Sequence, residues 1–498
     1  MTGSLSPGRR ARDLETLPGS AVDVVVVGGG VTGAGVALDA AARGLSVVLL
    51  ERTDLAAGTS RWSSKLVHGG LRYLAHGELG LARESARERA VLMGATAPHL
   101  VRPLPFLVPD AAGRDVTALA GLGGRLGDAV RRSVPGGRGA LPATRRVPAS
   151  DVGRLVPAVR AGGGGVVFWD GQLTDDARLV VALARTAAAF GARVLTGATV
   201  TAVDGAEVHA EVDGARIALR AGVVVNAAGV WAQRLAPRLR LVPSRGSHLV
   251  LPSARLGSPS AALTVPLPGS RSRYVFALPQ PDGRTYLGLT DEPVEGPVPD
   301  DDAQPSAAEV AQLLDTVNQV LTTPLSRADL VGAYAGYRPL VLPQAGPGGS
   351  TADLSRKHLL AWDGPVLSVV GGKLTTYRAM AEQAVDAAVA RLGRGAARSV
   401  TARLPLVGAA PRRALERVAA PERLVARYGT EAPAVEALGP ALVVADRPET
   451  VGELRFAVRH EGARTVADLL DRRTRIGLVP ADRERAVPVA EQVLAEER

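Results

Sequence analysis

The stretch DVVVVGGGVTGAGVALDAAARGLSVVLLER, running from Asp23 to Arg52, leaves the chain very few folds to adopt. Val24 to Val27 reads as a strand, the segment to about Ala42 as a helix and Val47 to Leu50 as a second strand. Gly28, Gly30 and Gly33 supply the G-x-G-x-x-G spacing in the turn between strand and helix. Without Cβ atoms there, backbone N–H groups reach a pyrophosphate, and the helix N-terminus favours its charge. Glu51 closes the second strand, where a carboxylate accepts hydrogen bonds from ribose hydroxyls and disfavours a 2′-phosphate. The unit predicts the opening of a doubly wound α/β sheet, a Rossmann-like domain for FAD or NAD rather than NADP.

Which dinucleotide is decided further along. GTSRWSSKLVHGGLRYL, Gly58 to Leu74, crowds hydroxyls, a lysine, a histidine and paired glycines just past the ribose acid, which a simple nicotinamide domain does not need. For a flavin, such small residues let the backbone lie against phosphates and ring. Arg52, Thr59, Ser60, Ser63, Ser64, Lys65, His68, Gly69 and Gly70 are therefore candidate cofactor contacts. The run VVVNAAGVWA ends a strand in a small-residue turn that brings in Ala228 and Gly229, with Val200 from the segment ATVTAVD. Finally, GGKLTTYR follows the strand Val366 to Val370 and opens a helix, adding Gly371, Gly372, Leu374 and Thr375. A helix N-terminus aimed at the pyrimidine edge of a flavin stabilises the charge that reduction places there.

A chain of 498 residues, 46% hydrophobic and 22% charged, suggests about three domains at roughly 150 residues each. The absence of cysteine removes disulfides, thiol nucleophiles, cysteine-held iron–sulfur clusters and a thioether-linked flavin. No His or carboxylate grouping has metal-ligand spacing, so no metal is expected. Residues 1–20 read as a flexible polar arm without a secretory apolar segment, and the uncharged run Val24 to Leu38 is broken by glycines, so a cytoplasmic address is expected. The net charge of +10 comes from arginine, since only Lys65, Lys357 and Lys373 are lysines; it is compatible with an anionic lipid surface. With 3% aromatics and no basic run interleaved with them, nucleic acid is excluded as a partner.

The expected organisation is a flavin domain in three parts, 21–100, 151–245 and 330–395, interrupted by an irregular cap excursion at 101–150 and an antiparallel cap at 246–329. Within 246–329, HLVL, RYVFALP and TYLGLT read as short strands, the last two joined by a Pro281–Gly283 hairpin turn. A helix follows with Ser306 and Glu309 as capping box, and 400–498 reads as a helical, Arg-rich domain.

These segments closely resemble the FAD-dependent glycerol-3-phosphate dehydrogenases, and more loosely the glycine and D-amino acid oxidase superfamily. The likeness covers nearly the whole chain and rests on GGGVTGAG, SSKLVHGGLRYL, DDARL, NAAGVWA, RGSHLV, GLTD, GYRPL, SRKHLL and GGKLTTYR in that order, with LPLVG and RRTR in the tail. Arg61 and Trp62 depart from it, standing where the family more often has Ser and Arg, and segment 111–146 lacks the family's usual aromatics. The resemblance implies a non-covalent FAD, an antiparallel substrate cap and a C-terminal α-helical domain. It implies a substrate pocket of Arg72, Tyr73, His248, Thr290, Arg338, Arg356 and Lys373, with glycerol 3-phosphate as substrate. Electrons would pass to a quinone at the inner face of the membrane, or to oxygen. A homodimer is left open.

The residues agree chemically with that pocket. A phosphomonoester brings close to two negative charges into a cleft, and arginine forks hold it best. Oxidising its secondary alcohol also needs a proton acceptor, and His248 is the preferred candidate, with Arg338 and Lys373 stabilising developing charge. A flavin oxidase of an amino acid or 2-hydroxy acid is the competing enzyme, holding a carboxylate with fewer cations. A flavoprotein scaffold that turns over nothing is the non-enzymatic alternative.

Overall fold

The computed structural model describes residues 3–70, 77–270, 273–341 and 358–497. The apolar valine strand Ala21–Val27 lies at the centre of an eight-stranded sheet, flanked in parallel by Val47–Glu51 and Ala215–Asn226. Beyond them stand Arg193–Thr196 and Val366–Gly371, also parallel, and His358–Asp363 closes one edge antiparallel. Strands buried on both faces need continuous apolar sequence, and Val24, Val25 and Val26 are fully buried. Helices Val31–Ala42, Asp176–Ala189 and Tyr377–Leu392 cover one face, contributing Ala34, Ala37, Leu179, Leu183, Ala381 and Ala384 to a single core. The glycine turn thus opens a parallel sheet covered by helices, the dinucleotide-binding arrangement its spacing required.

A second sheet of ten strands forms the cap. Its centre is the antiparallel set Leu241–Pro252, Arg284–Gly288 and Tyr274–Pro279, with Ala262–Pro266 pairing Val101–Pro109 in parallel. This sheet is larger than the 246–329 span read from sequence. Gly165–Leu173 and Gly332–Val341, both assigned to the flavin domain by sequence, pair into it. Neither strand's burial alternates along its length, so no local pattern marks its sheet and only long-range pairing selects the cap.

Two segments read as irregular are ordered. The 101–150 excursion holds the strand Val101–Pro109 and the helix Arg114–Arg132. Its glycines concealed a helix that buries Thr117, Gly124 and Arg131 and leaves Leu119, Leu122 and Leu126 exposed. The N-terminal arm contains the helix Pro7–Thr16, capped by Ser6 and tied down by Arg9, which donates to Ala188 O at 3.0 Å and Ala192 O at 2.9 Å. The C-terminal helices Glu422–Tyr428, Ala432–Ala437, Val451–His460 and Pro480–Glu496 have cores of their own, around Leu454, Ala486 and Val493 and around Leu424 and Phe456. No described helix is long and apolar enough to cross a membrane.

Candidate active site

A cleft of about 1140 Å3 opens between the two sheets, lined by residues of three walls. The first wall is the glycine turn. Gly28 has φ +108°, and a Cβ on it would lie 2.6 Å from Ala227 O, so only glycine lets the two strand ends meet. Gly33 does not line the cleft; a Cβ there would sit 1.9 Å from Gly28 O, so it sets how closely the helix presses on the turn. At the helix start, Val31 N–H donates to Ser60 Oγ at 2.9 Å. Glu51 accepts from Gly29 N–H at 2.6 Å and from Thr53 N–H at 2.8 Å, and burial raises its carboxyl above the usual range against those two bonds. Two bonds leave an ionised carboxylate with further lone pairs for hydroxyl donors. Arg52 also lines this wall, pairing with Asp300 at 2.8 Å and lying over the Trp231 ring.

The second wall is the turn Gly371 to Thr375, all five of whose residues line the cleft before the helix Tyr377–Leu392 begins. Lys373 Nζ donates to Ser85 Oγ at 3.1 Å. Val200, Ala228 and Gly229 also line the cleft, as do Thr59, Ser63, Ser64 and His68.

The cap supplies the third wall. In the sheet register His248 stands between Gly288 and Tyr334, and its ring stacks on Tyr334 with centroids 4.7 Å apart. A Cβ on Gly288 would fall 2.2 Å from the imidazole, so glycine leaves the space the ring fills. His248 Nε2 shares a 2.9 Å hydrogen bond with Ser64 Oγ, while Nδ1 is buried without a partner. Burial first, then the nearby Lys65 and Arg338 cations, hold this histidine well below its ordinary pKa, hence neutral. Arg338 is oriented by Thr290 O at 2.9 Å, and by Asp291 and Ser244 at 3.2 Å each. Thr290 lines the cleft, but its hydroxyl donates to Glu309 at 2.7 Å and accepts from Ser247 N–H at 3.0 Å. It therefore braces the Arg338 strand pair more than it offers a donor. Burial would raise Glu309, but bonds from Ser306 N–H, Thr290, Ser247 and Arg245 outweigh it and hold the carboxyl low.

Several sequence candidates lie elsewhere. Lys65 is buried off the cleft, its ammonium 2.8 Å from Asp176 and donating to Arg61 O, so it is a structural cation rather than a cofactor contact. Burial lowers its pKa, and Asp176 opposes that. Gly69 and Gly70 do not line the cleft either: Gly69 N–H donates to Asp170 at 3.0 Å, and a Cβ there would collide with Arg89. Arg72, Tyr73 and Arg356 lie outside the described residues. Sequence reading missed Trp231, Arg234, Phe106, Phe168, Tyr274 and Phe276, which line the cleft. Of these, Tyr274 and Phe276 carried a signal, as alternate residues of one strand share a face. The two departures at Arg61 and Trp62 form a local pair, Arg61 meeting Asp302 at 2.5 Å and stacking on Trp62.

The model of the FAD-dependent oxidoreductase family termed DAO matches residues 23–378. The chain belongs to that family. A second model, the C-terminal domain of alpha-glycerophosphate oxidase, matches residues 399–498 of this FAD-dependent oxidoreductase. Glycerol-3-phosphate dehydrogenase 1 of Mycobacterium tuberculosis (strain ATCC 25618 / H37Rv) is 52% identical to it over 515 aligned residues, spanning 99% of each chain. Glycerol-3-phosphate dehydrogenase of Pseudomonas aeruginosa PAO1 is 36% identical over 92% of each. The crystal structure of glycerol-3-phosphate dehydrogenase from Bacillus halodurans complexed with FAD is similar with a TM-score of 0.74 and 25% identity, covering 98% of this chain and 94% of that one.

The residues of this oxidoreductase fit the family's FAD. Two turns stripped of Cβ atoms face one cleft, each opening a helix, and an acid ends the second strand. Trp231 Nε1 and His248 Nδ1 are buried polar atoms without protein partners in its walls. Gly28, Gly30, Glu51 and Ser60 would hold the adenosine and pyrophosphate end, and Gly371 to Thr375 the flavin end.

Proposed function

We propose that the protein oxidises sn-glycerol 3-phosphate to dihydroxyacetone phosphate. The carrying observation is the meeting, in one dinucleotide cleft, of Arg338, Lys373 and a histidine kept neutral by its surroundings. The similarity to proteins named glycerol-3-phosphate dehydrogenase over 99% of both chains supports the same reading. Bound FAD supplies the chemistry of hydride acceptance at its N5. Arg338 and Lys373 neutralise the phosphomonoester and polarise the alcohol oxygen. His248 takes the hydroxyl proton; the doubly negative substrate beside it raises its affinity for that proton on binding. Ser64 and Tyr334 hold the ring in place for the transfer.

Anaerobic addition of glycerol 3-phosphate to the yellow protein is expected to bleach it, and D-alanine or 2-hydroxyglutarate to leave it coloured. Bleaching by the carboxylates alone would overturn the substrate reading. The proposal extends to a quinone acceptor at the cytoplasmic face of the membrane. Leu119, Leu122 and Leu126 are exposed on the helix Arg114–Arg132 and line the cleft, with the exposed Arg125 and Arg132 on the same helix. Binding to anionic vesicles should weaken as salt rises, and binding indifferent to salt would count against it.

A further inference from the structure

We infer that the C-terminal helical domain retains FAD through Arg472 and Arg473, which act on the glycine turn by way of Asp54. Asp54 follows Glu51 by three residues, lies in the chain between the cleft-lining Thr53 and Ala57, and is 1% exposed. Its carboxylate accepts from Arg473 Nη1 at 2.7 Å, from Arg473 Nη2 at 2.8 Å and from Arg472 Nε at 2.8 Å. The arginines are fixed on their own side first, Arg472 by Asp468 at 2.6 Å and Arg473 by Glu461 O at 2.9 Å. They therefore present a preformed fork to Asp54.

From Asp54 the connection reaches the turn in two steps. Ala57 N–H donates to Asp54 O at 3.1 Å, closing a tight bend in which Ala56 adopts the left-handed φ of +62°. A non-glycine residue holds that conformation only where its surroundings impose it. Ala56 N–H then donates to Gly29 O at 3.0 Å, while Gly29 N–H donates to Glu51. Both backbone groups of Gly29, inside the pyrophosphate turn, are thus tied to a segment whose anchor is in another domain.

Other ion pairs across the same interface lack this path. Arg185 meets Glu431 in two bonds of 2.7 and 2.8 Å, but stands on the helix Asp176–Ala189, away from the turn. Loss of Arg185 weakens domain docking in general, whereas loss of the Asp54 fork releases the turn. Because coupling between two binding events is reciprocal, FAD must in turn strengthen docking of the C-terminal domain.

The test uses full-length Asp54→Asn, Arg473→Lys and Arg185→Met proteins, with FAD affinity read by flavin fluorescence and docking by proteolysis of the exposed connector 393–400, each with and without FAD. Asp54→Asn and Arg473→Lys are expected to weaken FAD binding about tenfold or more, and Arg185→Met to lower apoprotein Tm while leaving FAD affinity within about threefold. FAD should slow connector cleavage in the unaltered protein and lose that effect in Asp54→Asn. Normal FAD affinity in Arg473→Lys, equal loss in Arg185→Met, or cleavage indifferent to FAD in the unaltered protein would each overturn the inference; should Asp54→Asn not fold, Arg473→Lys decides. The inference rests on the FAD site and not on the substrate, and an unaltered protein that takes up no FAD would sink the cofactor assignment instead.

Discussion

His248 and Lys65 show how the same kind of sequence clue divides once the chain is folded. Both stand in motifs that marked them as site candidates, and both are buried. His248 reaches the cleft because the cap sheet sets it opposite Gly288, which leaves room for the ring. Lys65 turns inward to Asp176, a partner more than a hundred residues away that no local pattern announces. Replacing His248 by Gln is expected to slow substrate-driven bleaching about 10²- to 10⁴-fold with little change in substrate affinity; rapid bleaching in stopped flow would exclude the histidine as proton acceptor. Lys65→Met strands Asp176 in the interior, and a destabilisation of about 3–5 kcal/mol is expected in urea unfolding. Truncating Lys373 instead should raise KM with stability nearly unchanged.

Among the elements, the first strand–turn–helix–strand unit was readable because strand burial and helix packing are written into consecutive residues. Gly33→Ala tests it: the new methyl meets Gly28 O, the helix must move off the turn, and the protein is expected to purify colourless. Retention of stoichiometric FAD would show that the helix has slack. The strands Gly165–Leu173 and Gly332–Val341 were not assignable in this way, for their partners lie far off in sequence. The helix Arg114–Arg132 was hidden for another reason. Four glycines lower its intrinsic propensity, and it persists because the strands Val101–Pro109 and Gly165–Leu173 pack beneath it.

For the whole molecule, buried histidines make the assembly acid-sensitive. Burial, reinforced by Arg178, lowers His99 to about 3, and His248 is also held well below 6.5. A neutral histidine of this kind contributes fully above its unfolded pKa, so its contribution is lost as pH falls from about 6.5 towards the folded value. The loss is about 1.4 kcal/mol per histidine per pH unit. Thermal unfolding should show Tm falling between pH 7 and 5.5, before the carboxylates titrate; a flat profile there would contradict the burial of both rings. The sequence by itself determined the dinucleotide turn, the family and the cationic character of the pocket, because these depend on residues adjacent along the chain or on motifs kept in order. Only the tertiary structure decided which cations reach the cleft, how far the cap extends and that the C-terminal arginines meet Asp54. Those contacts join segments hundreds of residues apart, and burial with its pairing demands, not local propensity, selects them.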